Sequence, residues 1–378
     1  MIYFDNAATT LVKPPRVAEA VVQAMQSMGN CGRGSHPCSR FAAGAVDEAR
    51  IKLAAFFGCK RADHVVFTQN ATQALNMALY GLLGTGDHVI STVAEHNSVL
   101  RPLYRLQREV GLELDLIPAD EKGTLRLELL PKLLKPNTKA VVCTHISNLT
   151  GNITDLETIR RFTAAHQLLL VVDAAQSAGY LPIHMEQMGI DILCVTGHKG
   201  LMGPQGTGAL LLREELDLRP LCTGGTGVQS YLREQPAQLP EHLEAGTLNA
   251  HGIAGLSAAI DYLNDLSLER IRQQEDSLTA RFYEGVQKIP GVRVYGDFSR
   301  PHGPIVSLNL GSWDSGAVSD ALAEDYGIAT RPGAHCAPLM HMALGTEVQG
   351  AVRFSFCYHN TEEEIDTAIC AIAQLAAE

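Results

Sequence analysis

From residue 64 onward the chain alternates short apolar runs with longer stretches whose apolar positions recur at helical spacing. HVVFT (64–68) leads to ATQALNMALYGLL (71–83), DHVIST (87–92) to NSVLRPLYRLQREV (97–110), and LELDLIP (112–118) to a helical stretch near 125–134. KAVVCTHI (139–146), DLETIRRFTAAH (155–166), LLLVVDA (168–174), DILCVTG (191–197) and GALLL (208–212) continue the series. Continuous apolar runs of strand length suit strands buried on both faces, and the amphipathic stretches suit helices covering them. The middle of the chain therefore predicts a largely parallel α/β sheet. Ligands of such sheets sit at the carboxyl edge, where strands end in loops.

After about residue 250 the rhythm changes. Two long helical stretches (252–289) precede VRVYG, IVSLNL, a helix near 315–326, IATR, AVRFSF and a last helix opened by NTEEEID, whose acidic first turn suits the helix dipole. This predicts a smaller α+β domain, and with no flexible linker in between the two parts should touch closely.

Composition narrows the function classes. A chain of 378 residues, 46% hydrophobic, is long enough for one large core and a second smaller one. With 41 acidic against 30 basic residues, a formal charge of -11, it is poorly suited to holding nucleic acid or an anionic membrane. The start, MIYFDNAATT, lacks a basic region and an apolar core, and LLLVVDAA is only strand-sized, so a soluble, unprocessed, cytoplasmic protein is expected. Nine cysteines without a CxxC pair argue against a disulfide framework or a structural zinc site.

Chemistry concentrates in VVDAAQSAGY (171–180) and DILCVTGHKG (191–200). Each is an apolar strand ending in a polar loop, which brings Asp173 and Lys199 to the same sheet edge. A lysine there can form a Schiff base with an aldehyde, and an aspartate can keep a pyridine nitrogen protonated; together they are the pair that pyridoxal phosphate (PLP) requires. Either residue alone is more often an exposed lysine or a helix cap. Thr196, His198 and glycines at 197, 200, 203, 206 and 208 shift the balance, because they permit close backbone approach to a bound group.

Here the sequence resembles the class V aminotransferase family, and within it the cysteine desulfurases and selenocysteine lyases, nearly end to end. FDNAATT (4–10) resembles the family's opening segment and FTQNATQALN (67–76) its phosphate loop, where Ala71 and Thr72 would begin a helix able to bind a phosphate dianion. The resemblance implies that His96 stacks on the pyridine ring and moves protons, and that Asn148 and Gln176 bond the ring oxygen or the substrate. It implies further that Thr196 and His198 bind phosphate, and that Thr247 in LEAGTLNAHG reaches the phosphate of a neighbouring subunit in a homodimer with shared sites. Arg33 in NCGRGSH resembles an interface segment. The implied architecture is the PLP-dependent transferase fold type I: a large domain (14–250) with a mainly parallel seven-stranded sheet, and a small α+β domain formed by 1–13 and 251–378.

Cys336 alone among the nine cysteines lies in a loop built for reactivity, TRPGAHCAPLMH, where Pro332 and Gly333 break regular structure and His335 is adjacent. Nearby positive charge favours a thiolate. RPGAHCA resembles the RxGxHCA signature of the short-loop desulfurases, with Ala334 where the family usually has a second histidine. Arg353 matches the arginine that clamps a substrate carboxylate, with Arg331 as a second cation. The resemblance implies conversion of L-cysteine to L-alanine, with Lys199 and His96 moving protons, Cys336 taking the sulfur as a persulfide, and an acceptor protein receiving it. Selenocysteine lyase action on L-selenocysteine, another class V transamination or elimination, and a non-catalytic PLP-binding partner are the alternatives.

Overall fold

The structure, a computed structural model, describes residues 1–32 and 34–377. Its strands are β1 (Ile2–Tyr3), β2 (Val65–Thr68), β3 (His88–Thr92), β4 (Glu113–Ile117), β5 (Thr138–Thr144), β6 (Leu169–Asp173), β7 (Ile192–Thr196), β8 (Gly208–Leu212), β9 (Val292–Tyr295), β10 (Ile305–Leu310), β11 (Ile328–Ala329) and β12 (Val352–Ser355). Seven of them form one sheet in the order β2-β8-β7-β6-β5-β3-β4. Neighbours from β7 to β4 are parallel, whereas β8 runs antiparallel to both β2 and β7.

Strand pleating divides the apolar runs between two faces. Phe67, Val141, Val172 and Leu193 join a core closed by the helices Pro37–Phe56, Leu156–His166 and Ala250–Leu266. Val66, Val142, Val171 and Ile192 join the opposite core, under Ala71–Leu82 and Asn97–Val110. Both faces are thus covered, which is why the strands read as unbroken apolar runs rather than as alternation.

A three-stranded antiparallel sheet, β12-β10-β9, carries the helices Leu268–Val286, Ser315–Tyr326 and Glu362–Leu375 around a third core that includes Phe282, Val306, Leu322, Phe354 and Ile372. Thr361 and Glu364 close a reciprocal capping box at the start of the last helix. The chain's beginning belongs to this body: β1 pairs with β11, and Phe4 is fully buried in the third core. Ala250–Leu266, where the C-terminal part begins, instead sinks Ile253, Leu256, Ile260 and Leu263 into a core of the large sheet. The helix expected near 125–134 is broken into a 3-10 turn, Leu127–Leu129, and a single turn, Leu130–Leu133, because Pro131 brings no N–H to an ongoing ladder.

One glycine pair fixes the spacing of the loops that follow β6 and β7. Gly179 has φ +89°, and a Cβ there would lie inside van der Waals contact of the Gly200 carbonyl, backbone against backbone. Gly179→Ala is expected to lower stability by about 3 kcal/mol, combining left-handed strain with overpacking. Urea unfolding measures this loss, and PLP retention should fall with it. Among the described residues no helix is long and apolar enough to cross a membrane.

Candidate active site

At the carboxyl edge, β6 ends in Asp173 and its parallel neighbour β7 ends in Thr196, with Lys199 in the loop beyond. Every cofactor-binding residue expected from the sequence except Thr247 lines one cavity there, joined by Asn70, Ser98 and Thr144, which sequence reading did not single out. Gly208 lets β8 pass beside this cavity, since a Cβ would meet Val195 O at 2.8 Å and the Asn70 backbone at 2.9 Å.

Asp173 is 4% exposed, and its carboxylate accepts from Ala175 N at 2.9 Å. Burial raises its pKa, opposed by that hydrogen bond and by the charge of Lys199. Burial acts oppositely on Lys199, lowering its amine to about 8 against the pull of Asp173. The N-terminal segment clamps the lysine loop: Thr10 N and Lys13 Nζ donate to His198 O at 3.0 and 2.9 Å, and Thr10 Oγ1 donates to Lys199 O at 2.7 Å.

The helix Ala71–Leu82 begins at the cavity's other end. Its N-cap, Asn70, accepts from Gln73 N at 2.9 Å, which leaves the first-turn amides of Ala71 and Thr72 without intrahelical acceptors. Thr196 Oγ1 and His198 Nδ1 are buried with no hydrogen-bond partner. Buried polar atoms without partners are uncommon, and two of them beside free helix amides are the donor set an anionic group requires. Together with Asp173 and Lys199, which line the same cavity, these residues fit PLP.

His96 is the N-cap of Asn97–Val110 and accepts from Ser98 N at 3.0 Å through Nδ1, which places the neutral ring's proton on Nε2. Burial, then the charges of Lys199 and Arg353, lower its pKa to about 4.

Arg353, on β12, is 2% exposed. Its Nη1 donates to Asn148 O at 3.0 Å and its Nη2 to Asp5 Oδ1 at 2.9 Å, while Nε is buried without a partner. Asp5 is the residue that sequence reading missed: it compensates Arg353 and also faces Arg331 at 3.9 Å. Gln176 Nε2 donates to Ala7 O at 3.1 Å, another tie to the opening segment.

The thiol of Cys336 is exposed, and the residue stands in left-handed conformation (φ +56°) directly after His335 (φ +50°). Two contacts pin this turn from the large sheet's side: Asn97 N donates to Cys336 O at 2.8 Å, and Asn148 Nδ2 donates to His335 O at 2.6 Å. His335 does not provide the positive charge expected of it. Its ring is turned inward, bonded to Arg331 O at 2.9 Å and facing His341, and burial lowers its pKa to about 3. An uncharged imidazole facing the interior braces the loop rather than activating the thiol.

Thr247 is exposed and lies outside its own chain's cavity, beside a groove bordered by Asn30, Arg50 and Glu244. Arg33 lies outside the described residues.

The aminotransferase class-V family profile matches residues 2–367. The chain is 37% identical to a probable cysteine desulfurase of Methanothermobacter thermautotrophicus, over 96% of this chain and 92% of that protein. It is 32% identical to a cysteine desulfurase of Haloferax volcanii, over 98% and 88%. Among solved structures, the apo cysteine desulfurase of Thermococcus onnurineus superposes with a TM-score of 0.92 at 34% identity, covering 100% of this chain and 94% of that one. A cysteine desulfurase of Escherichia coli follows with a TM-score of 0.88 at 30% identity, covering 99% and 94%.

Proposed function

Since the chain belongs to the aminotransferase class-V family and is a PLP-dependent cysteine desulfurase of fold type I, we propose that the cavity between Lys199 and the Ala71–Leu82 helix holds its cofactor and that Cys336 receives the sulfur. The observation that carries this assignment is the convergence of a buried carboxylate, a buried amine of lowered pKa and two unpartnered phosphate donors at one strand edge.

Thr196, His198 and the amides of Ala71 and Thr72 would hold the phosphate, Asp173 the ring nitrogen, Asn148 and Gln176 the ring oxygen or the substrate, and His96 the ring face. Bound PLP supplies an electron sink that makes the Cα–H of its amino-acid partner acidic. Arg353 anchors the carboxylate of L-cysteine through the guanidinium edge that Asp5 and Asn148 leave free, and Arg331 adds a second positive charge from the half-exposed rim. Lys199 Nζ takes and returns the proton at Cα. The Cys336 thiolate attacks the substrate sulfur, so that an S–S bond forms as the substrate's Cβ–S bond breaks and its electron pair stays with carbon. His96 manages the proton of the substrate thiol. L-alanine leaves, and the persulfide on Cys336 passes to a sulfur acceptor.

We extend the proposal to a homodimer. Thr247, exposed and outside its own cavity, serves the partner's phosphate site. The division is 14–250 against 1–13 with 251–378, the helix Ala250–Leu266 joining them while packed on the large sheet. L-selenocysteine is a second substrate, less dependent on Cys336 because selenium leaves carbon more readily. Nine cysteines without a CxxC pair support a reducing, cytoplasmic setting.

Cofactor capture tests this site through its pH dependence. Only the free amine attacks an aldehyde, so the rate of PLP uptake should rise about tenfold per pH unit below the Lys199 value of about 8 and level off above it. Stopped-flow absorbance on apoprotein measures this. A rise continuing toward 10.5, the ordinary lysine value, would show that Lys199 is not the buried amine described.

A further inference from the structure

Ser98 lies in the first turn of Asn97–Val110, buried against the cofactor cavity. Its hydroxyl is 2.7 Å from Thr72 Oγ1 and 2.8 Å from His96 Nδ1, and its amide donates to the same nitrogen at 3.0 Å. We propose that Ser98 is a positioning residue that couples the phosphate end of the cavity to the His96 imidazole through this chain of hydroxyls. The inference rests on the phosphate site proposed at the start of Ala71–Leu82 and adds the Thr72 hydroxyl to its donors.

The chain has two polarities. With a neutral His96, Thr72 donates to Ser98 and Ser98 donates to Nδ1, leaving the proton on Nε2. A phosphate dianion at Thr72 favours the reverse order: Thr72 donates to phosphate, Ser98 donates to Thr72, and the Ser98 oxygen turns a lone pair to Nδ1. A proton on Nδ1 then gains an acceptor, provided the ring turns away from the Ser98 amide that donates to the neutral nitrogen, and the ring holds a second proton more readily. The charges acting most strongly on His96 are all cations: Lys199, Arg353 and Arg331 from the elements packed against it, and Arg101 from its own helix. Against that field, a ring with a value of about 4 would not keep the substrate thiol's proton near neutral pH. Loading the phosphate site would raise that value, so the relay makes His96 a better proton acceptor when cofactor is present.

Histidine-labelled protein tests the relay by NMR, with the His96 signal assigned from its loss in His96→Gln. PLP loading is expected to raise the His96 pKa by about one unit in the wild type and in Ser98→Thr, which keeps a hydroxyl. In Ser98→Ala, which keeps the backbone amide contact, less than half of that rise should remain. Thr72→Val, at saturating PLP, cuts the chain from its far end and should give the same loss. Equal rises in wild type and Ser98→Ala would overturn the coupling while leaving the cofactor assignment intact. A wild-type His96 that ignores PLP, while absorbance shows PLP bound, would overturn both the coupling and the phosphate contact of the Thr72 hydroxyl. If Ser98 only supported the helix start, Ser98→Ala would lower the melting temperature without changing the response to PLP.

Discussion

Lys199→Ala is expected to leave a colourless protein and to lower L-alanine release from L-cysteine by about 1,000-fold or more, the range for losing the proton-transfer group and covalent anchor that Lys199 is proposed to be. Lys13 cannot take over, because its amine is committed to the His198 carbonyl at 2.9 Å. The variant should remain folded, since a buried amine is itself unfavourable. Its loss also removes the charge that opposes the raised pKa of Asp173. Visible absorbance after PLP addition, alanine assays and circular dichroism give the three readouts. A coloured variant with near-normal turnover would mean that another amine anchors the cofactor.

Cys336→Ala separates binding from sulfur transfer. The cavity lies behind the loop and does not include residue 336, so PLP should bind with its normal colour. Turnover of L-cysteine should fall by about 100-fold or more, because the nucleophile proposed to take the sulfur is gone. The change should hardly affect stability: the side chain is exposed, and the contacts holding the turn go to the backbone carbonyls of residues 335 and 336. L-selenocysteine turnover should fall much less. Parallel assays on the two substrates check this, and normal desulfuration by the variant would move the nucleophile elsewhere.

The edge carrying the candidate site was legible because each half of it combines an apolar strand with a polar loop, and the parallel rhythm brings the strand ends together. Asp173 and Lys199 line one cavity, at the shared edge that rhythm implied. The strand β8 was harder, since GALLL reads like any doubly buried strand and composition carries no direction. Only the short, helix-free link from β7 marks it as antiparallel, because a parallel return needs a longer crossover. The helices Pro15–Ser27 and Pro37–Phe56 were not read at all. The second buries mainly small residues, among them Ala42, Ala49 and Ala54, so its apolar period is faint.

Charge pairing was the least legible feature. Asp5 and Arg353 lie 348 positions apart in sequence, and nothing local signals that the opening segment supplies the arginine's counter-charge. His335 misled for the opposite reason. Adjacency to Cys336 suggested a cation beside the thiol, but the left-handed backbone turns the ring toward Arg331 O and His341, where burial keeps it neutral. Thr247 shows the limit of one chain: it stands exposed outside its own chain's cavity, and the contact proposed for it belongs to a second subunit.

The most direct test loads the purified protein with PLP, adds one equivalent of L-cysteine without reductant, and maps the product by peptide mass spectrometry beside an alanine assay. One sulfur added to the peptide containing Cys336, matched mole for mole by L-alanine, is the expected result. Alanine or pyruvate formed while that peptide stays unmodified would contradict the assignment of Cys336 as the sulfur-receiving residue.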